Sequence, residues 1–500
     1  MRSVSLYTYE LPTTGSLSFA DYFSDPYTLY TAHIAEATQA RANLRALLKE
    51  SKHSNGDKDY LRLVKVTLEE YLPNLYSVIA CASHGELVQK QLPVFSWRTT
   101  LSANLFNTSP RLSVPSLPSE LAFTLFTYAF ALSNLAELNV TALGDYERAR
   151  GISDVERKAR DEKLGFAVTL LCKAAGVFAH VSEDVLVNAD NTPGWMEGIE
   201  RPPELSKEVA SALSKLSLVA AQSLAVRKLL TKAAYDSTIT PGPPLPKSHP
   251  SPALLAKLHL EAATLSSSAL SLARIPGSSK ARLKSPSARP KLHFSLGRDK
   301  DKPKDAVDGE GDESKGRGEK EKDDMEVAGD FLRFVGEIGA FHAALGRKWL
   351  GVSAGEADIS SKGGEAVGYL LWAKKELEEL KEGGKGGGKE EGKEGRKERK
   401  GRLSEEIESA STFLRHYKKL NDSLSYKPIP SQSELQANIP AGILAVNIRP
   451  FIPPTPAFGP GSVEYMRKQE EDPELAELEG RSDTASPRTG QSYLGAGSYF

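Results

Sequence analysis

The sequence predicts a mainly α-helical protein. Its helices pack antiparallel, solenoid-like in places, with a few short strands near the N-terminus. Three observations predict this. Apolar residues recur with the 3.6-residue period over several long segments. Alternating, strand-like patterns are scarce. Two low-complexity stretches interrupt the periodic segments, and helical patterning resumes after each.

The elements follow in chain order. Short alternating runs near Leu6–Leu11 and Leu92–Trp97 read as strands. Helices are expected over 33–50, 57–80 and 119–138. Residues 164–187 put Leu164, Val168, Leu171, Ala175, Phe178 and Val185 on one stripe. Residues 205–230 do the same with Leu205, Val209, Leu213, Leu216, Ala220 and Leu224. Helices are also expected over 252–273 and 364–381. Residues 330–350 use Phe331, Phe334, Val335, Ile338, Phe341, Leu345 and Trp349. Residues 403–424 use Leu403, Ile407, Ala410, Leu414, Tyr417 and Leu424. No strict tetratricopeptide consensus recurs.

Residues 276–328 and 382–401 are rich in Lys, Gly and acidic residues and nearly free of large apolar side chains. Neither can bury enough surface to offset its ordering entropy, so both read as disordered insertions within one domain over 1–460. Residues 461–500 read as a disordered tail. Before it, 431–460 contains NIPAGILAVNIRPFIPPTPAFGPG. Its prolines deny it a regular helix, yet it is apolar, so it is expected to lie in a surface groove as an extended strap.

Five hundred residues at 40% apolar content suffice for one large core or two ordinary ones. A formal net charge of −1 gives no whole-chain field toward nucleic acid or an acidic membrane. Cys81 and Cys172 are the only cysteines, too few for a disulfide framework or a zinc cluster. The N-terminus lacks the apolar segment of a secretory signal, and no run is expected to reach bilayer-spanning length. Sequons at Asn107, Asn139 and Asn421 then read as chance matches. The expected location is cytoplasmic, peripheral to membranes at most.

Motifs for chemistry are few. No helical His pair with an adjacent Glu suits zinc, and no Gly-x-Ser-x-Gly elbow is present. Cys81 and His84 lie one helical turn apart, but a buried helix cysteine near a surface histidine is the plainer reading. The GGKGGGK run lacks the Lys-Ser/Thr ending of a phosphate loop. The Lys/Arg clusters at 389–402 are interleaved with Glu and read as a solvated loop. Tyr71 and Leu75 end an amphipathic helix and are expected in the core. The nine histidines form no cluster suggestive of a pH switch. Catalytic, cofactor and metal sites are therefore expected to be absent.

An ordered set of short motifs goes further. Phe95-Ser-Trp-Arg98, the helix 116–138, KAAGVFAHVSEDVL at 173–186, LVAAQSLAVRKLL at 218–230 with Gln222, Gly364-Glu-Ala-Val-Gly-Tyr-Leu370, and Asn421-Asp-Ser-Leu-Ser-Tyr426 before Ile429-Pro430 together resemble the Bro-type domain family of ESCRT-associated adaptors. The N- and C-terminal stretches are similar to a fungal branch of that family, which serves the response to ambient pH. The chain lacks length for the coiled V-shaped domain that ALIX and PalA carry, so their Tyr-Pro-x-Leu binding is not expected here.

The resemblance implies an elongated, boomerang-shaped domain with tetratricopeptide-like helix pairs. It implies a non-catalytic adaptor that binds the C-terminal helix of an ESCRT-III subunit and other alkaline-pH pathway components. It would support proteolytic activation of a PacC-type transcription factor at endosomes or cell-cortex foci, without nucleic acid. Alignment on Gln222 makes Leu216 the leading partner contact, and alignment on Gly364 and Glu365 adds Val367, Leu370 and Leu371. Leu213, Val219 and Leu138 are weaker candidates. A generic helical-repeat scaffold in endosomal trafficking is the alternative.

Overall fold

Long amphipathic segments fold as helices that bury their stripes on one another, and the computed structural model follows this rule through most of its length. It describes residues 6–53, 59–102, 111–149, 151–193, 195–196, 199–239, 242–276, 326–383 and 393–471. Contacts divide the chain into two units. One joins residues 15–94 to the chain from 452 onward; the other joins residues 1–14 to 95–451.

The smaller unit holds a two-stranded antiparallel ribbon, β1 (Phe23–Ser24) with β2 (Val88–Gln89), Phe23 opposite Gln89. Helix α1 (Thr31–His53) buries Ile34, Ala37, Leu44 and Leu48 at helical spacing. Its buried Arg41 donates from Nη1 to the Gly15 carbonyl at 2.7 Å. The segment expected as one helix over 57–80 runs as Tyr60–Lys65, a π-helical turn Val66–Tyr71, and α2 (Leu72–Ser83). Pro73 explains the widened turn: it has no N–H to continue the ladder, and its ring crowds the preceding turn. Tyr71 and Leu75 are fully buried, as core packing requires. Further on, Phe458 donates its amide to Ser77 Oγ at 3.0 Å and stacks on His33 at 5.0 Å. The tail expected to lack structure contains a helix at Val463–Glu471; residues 472–500 lie outside the described residues.

Among the described residues of the larger unit seven long helices follow one another: α3 (Leu117–Leu143), α4 (Asp154–His180), α5 (Lys207–Ile239), α6 (Pro252–Ala273), α7 (Gly329–Ala357), α8 (Ile359–Gly383) and α9 (Lys393–Leu420). Each packs on its neighbours in sequence, the local pattern of a solenoid. A short helix, α10 (Gln432–Ala437), opens with a complete Ser431/Glu434 capping box. The strap expected over 431–460 therefore starts as a helix and becomes extended after it. All of 277–325 and of 384–392 fall outside the described residues. Residues 393–401, expected inside a disordered insertion, instead form the first turns of α9, where Arg399 pairs with Glu337. Glu, Lys and Arg are good helix formers, and the buried Leu403 just beyond propagates the helix backward.

Helix α3 is buried on every side from Ser119 to Ala136. Trp97 stacks on Phe123 at 5.4 Å and donates its indole N–H to Glu120 at 2.6 Å. Trp97 sits on β3 (Val94–Arg98), which pairs with β4 (Arg111–Pro115). Leu6–Leu11 is extended but is not a strand. The side-chain amide of Asn134 takes both polar groups of Tyr9, donating to its carbonyl and accepting from its N–H, each at 2.8 Å. One amide thus replaces a partner strand.

The expectation of no bilayer-length apolar helix fails. Leu117–Arg148, Asp154–Asp190 and Lys207–Thr231 are each long and apolar enough. Their most apolar windows are 89%, 61% and 78% buried within the fold, so other helices take up that surface.

Candidate helix-binding cleft

Helix α5 carries two contrasting stretches. Its Leu216, Val219 and Ala220 form one wall of a small apolar cleft, completed by Leu6, Tyr7 and Leu171 and by Phe334 and Ile338 of α7. Phe334 and Ile338 are partly exposed and give the cleft its open side. Leu216 is only 4% exposed, so it forms the floor and is not a projecting contact.

The other expected contacts divide sharply. Val367 and Leu370, expected to line the groove, are core residues, packed among Trp349, Val352, Phe413 and Tyr417. The backbone of Gly351 on α7 comes so close that an added Cβ would lie 2.8 Å from Leu370 Cγ. Leu213 is fully buried as well, and it does not line the cleft. Leu371 and Leu138 are exposed at 45% and 48% and do not line the cleft. Tyr7, Phe334 and Ile338 line the cleft too, though the sequence did not single them out. Phe334 and Ile338 lay in a recognised apolar stripe, but periodicity does not tell which stripe members reach solvent.

The second stretch of α5 is polar and closed. Arg227 pairs with Glu147, and both are buried. Ser223 Oγ lies 2.9 Å from His342 Nε2, and His342 Nδ1 lies 2.9 Å from His259 Nδ1. Burial pushes the His259 imidazole down to about 3, helped by the Lys348 ammonium. Burial, then the His259 ring, holds His342 well below the usual histidine value. Lys348 donates to Glu406 at 2.7 Å, both buried. Burial alone would raise the Glu406 carboxyl, but Lys348 holds it below the ordinary range.

The Cys81–His84 spacing shows no sign of an activated pair. Cys81 is buried, and burial followed by Glu86 pushes its thiol up to about 12, the opposite of an activated nucleophile. His84 Nδ1 turns to the Ala80 carbonyl at 2.9 Å. No group of three metal-ligating side chains occurs among the described residues.

The strap runs over α4, α5 and α6. Gln222 Nε2 donates to the carbonyls of Ile443 and Leu258, and Gln222 Oε1 accepts from the Ala445 amide. Arg449 N donates to the Cys172 carbonyl at 3.1 Å. A Cβ on Gly176 would stand 1.8 Å from the Arg449 carbonyl oxygen, so only glycine admits the strap there.

Comparison with known proteins decides the family. The family model for the BRO1-like domain matches residues 19–472. The chain belongs to the BRO1-like domain family. It is 32% identical to the pH-response regulator protein palC of Cryptococcus neoformans var. neoformans serotype D, over 99% of both chains. It is 24% identical to the protein of the same name from Yarrowia lipolytica, over 90% of this chain and 94% of that one. Among solved structures, the ALIX BRO1 CHMP4C complex matches with a TM-score of 0.53 and 17% identity, over 91% of this chain and 98% of that chain. That likeness shows the fold.

Several BRO1-like motifs prove to be joints of the fold. Gly364 lies against the Pro428 carbonyl, which an added Cβ would approach to 2.0 Å. Asn421 holds Lys427 by both its carbonyl and its amide, closing the turn through Tyr426 in the left-handed region. Gln222 ties down the strap.

Proposed function

We propose that this BRO1-like chain is a non-catalytic adaptor in the ambient alkaline pH response. On this reading it binds the C-terminal helix of an ESCRT-III subunit in the cleft floored by Leu216, together with other components of the pathway. It would support proteolytic activation of a PacC-type transcription factor from the cytoplasm, recruited to endosomes or cell-cortex foci. The observation that carries the reading is the full-length identity of 32% with a pH-response regulator. The ESCRT-III part draws on the fold neighbour, whose BRO1 domain is in complex with CHMP4C. It also draws on the cleft, which has an apolar floor and a half-open wall of the kind that takes the apolar face of a helix.

The test is binding of an ESCRT-III C-terminal peptide to the full chain. Substituting a cleft anchor is expected to cost about 2 kcal/mol, roughly thirtyfold in affinity. Leu216→Asp alone cannot decide, because a buried aspartate can unfold the protein. Ile338→Asp and Phe334→Asp act on the partly exposed wall and are the deciding variants. Folded variants that bind normally would remove the cleft assignment.

A further inference from the structure

The sequence shows no histidine cluster, yet the fold builds one. His259 of α6 and His342 of α7, 83 positions apart, meet in the interior with rings stacked at 5.2 Å. We infer that this pair is an acid-released latch for the strap: it holds α6 against α5 and α7 at neutral and alkaline pH, and on acidification α6 gives way and loosens strap residues 442–445, while Arg449 stays tied to α4.

The geometry leaves no place for an extra proton. The Ser223 hydroxyl has one hydrogen, and it donates to the Val219 carbonyl at 2.7 Å. The hydroxyl oxygen therefore accepts from His342 Nε2–H. His342 Nδ1 is then bare and accepts from His259 Nδ1–H. A proton added to His342 Nδ1 would set two N–H groups head to head. A proton on His259 Nε2, which has no hydrogen-bond partner among the described residues, would create a buried cation.

The charged groups around the pair offer no relief. Lys348 on α7, Arg227 on α5 and Arg402 on α9 are cations. The carboxylates are engaged: Glu406 by Lys348, Glu405 by Arg148, and Glu147 by Arg227. Both imidazoles are shifted down. A state that exposes them binds protons near the ordinary histidine value, about 6.5, while the closed state does not. The closed state is thus fully favoured above that pH. It loses ground by about tenfold per histidine for each unit below it.

The same turn of α6 carries the strap's anchors. Lys257 accepts the Ile443 amide through its carbonyl, Leu258 accepts Gln222, and Gly442 lies against Glu261. Gln222 adjoins Ser223, and Leu258 adjoins His259. A displacement that exposes the ring breaks these anchors together.

The experiment is amide hydrogen exchange on the full chain from pH 8 to about 5, corrected for intrinsic rates and read at 442–445 and at the core helix α3. Opening of the strap should rise about tenfold to a hundredfold by about pH 5.5, with α3 exchanging more slowly than the strap throughout. A His259→Asn/His342→Gln double variant should hold its strap equally at both ends of that range. Gln222→Ala should loosen it at every pH. Unchanged wild-type protection down to about pH 5.5, strap exchange no faster than that of α3, or the same pH dependence in a folded double variant each overturns the latch. If the double variant does not fold, imidazole C–H resonances of the wild type decide. Rings titrating near 6.5 under a still-protected strap overturn the latch, and rings titrating together with strap release support it. The readout is strap protection and not partner binding, so it stands or falls apart from the ESCRT-III reading.

Discussion

Two stretches of α5, two turns apart, use opposite chemistry. Around Leu216 and Val219 the neighbours are apolar and the wall at Phe334 and Ile338 is half open. Around Ser223 and Arg227 the neighbours are polar, buried and mostly committed to one partner each. Apolar contacts are non-directional, so Phe334 and Ile338 can exchange a neighbour for a partner helix with little loss. Buried hydrogen bonds and ion pairs are directional, and a lost partner leaves a desolvated group behind. One stretch of the helix therefore keeps an apolar, partly open neighbourhood and the other a closed polar one.

Substitutions can break this contrast, and the largest effect belongs to the polar stretch. Arg227→Met strands the buried Glu147 carboxylate and should cost about 3–5 kcal/mol in urea unfolding. Adding Glu147→Leu should recover much of it, and no recovery would mean that Arg227 acts by packing. Leu370→Ala should lose roughly 2–5 kcal/mol of stability while the folded fraction binds normally, as a core position requires. Ile338→Asp should weaken an ESCRT-III peptide by about 2 kcal/mol with the unfolding midpoint little changed.

The size of the pH response depends on how far the pH falls below about 6.5. Both imidazoles titrate lower in the folded state than in the unfolded state. Their contribution is complete above about pH 6.5 and is lost as pH falls below it, at about 1.4 kcal/mol per histidine per unit. A flat urea midpoint between about pH 6.5 and 5 would contradict this. Leu371→Asp and Leu138→Asp, on exposed surface, should change stability by no more than about 0.5 kcal/mol. If either weakens peptide binding while Ile338→Asp does not, the binding face lies on their side.

The sequence reading was strongest where the signal is local. The helix expected over 252–273 is observed over Pro252–Ala273. It failed at 393–401, where composition suggested disorder but contact with Glu337 and the buried Leu403 extends the helix. For the site, it named Leu216 and Val219, which line the cleft, beside Val367 and Leu370, which lie in the core. An apolar stripe of four or five residues looks the same whether a neighbouring helix or a partner covers it.

What the sequence by itself determined is the run of helices and, through spaced motifs, the BRO1-like family, because helical period and turn chemistry are properties of neighbours in the chain. Tertiary packing decided which stripe members reach solvent, where the strap is tied, and that His259 meets His342. Those outcomes depend on which faces of distant helices pack together, and no local pattern encodes them.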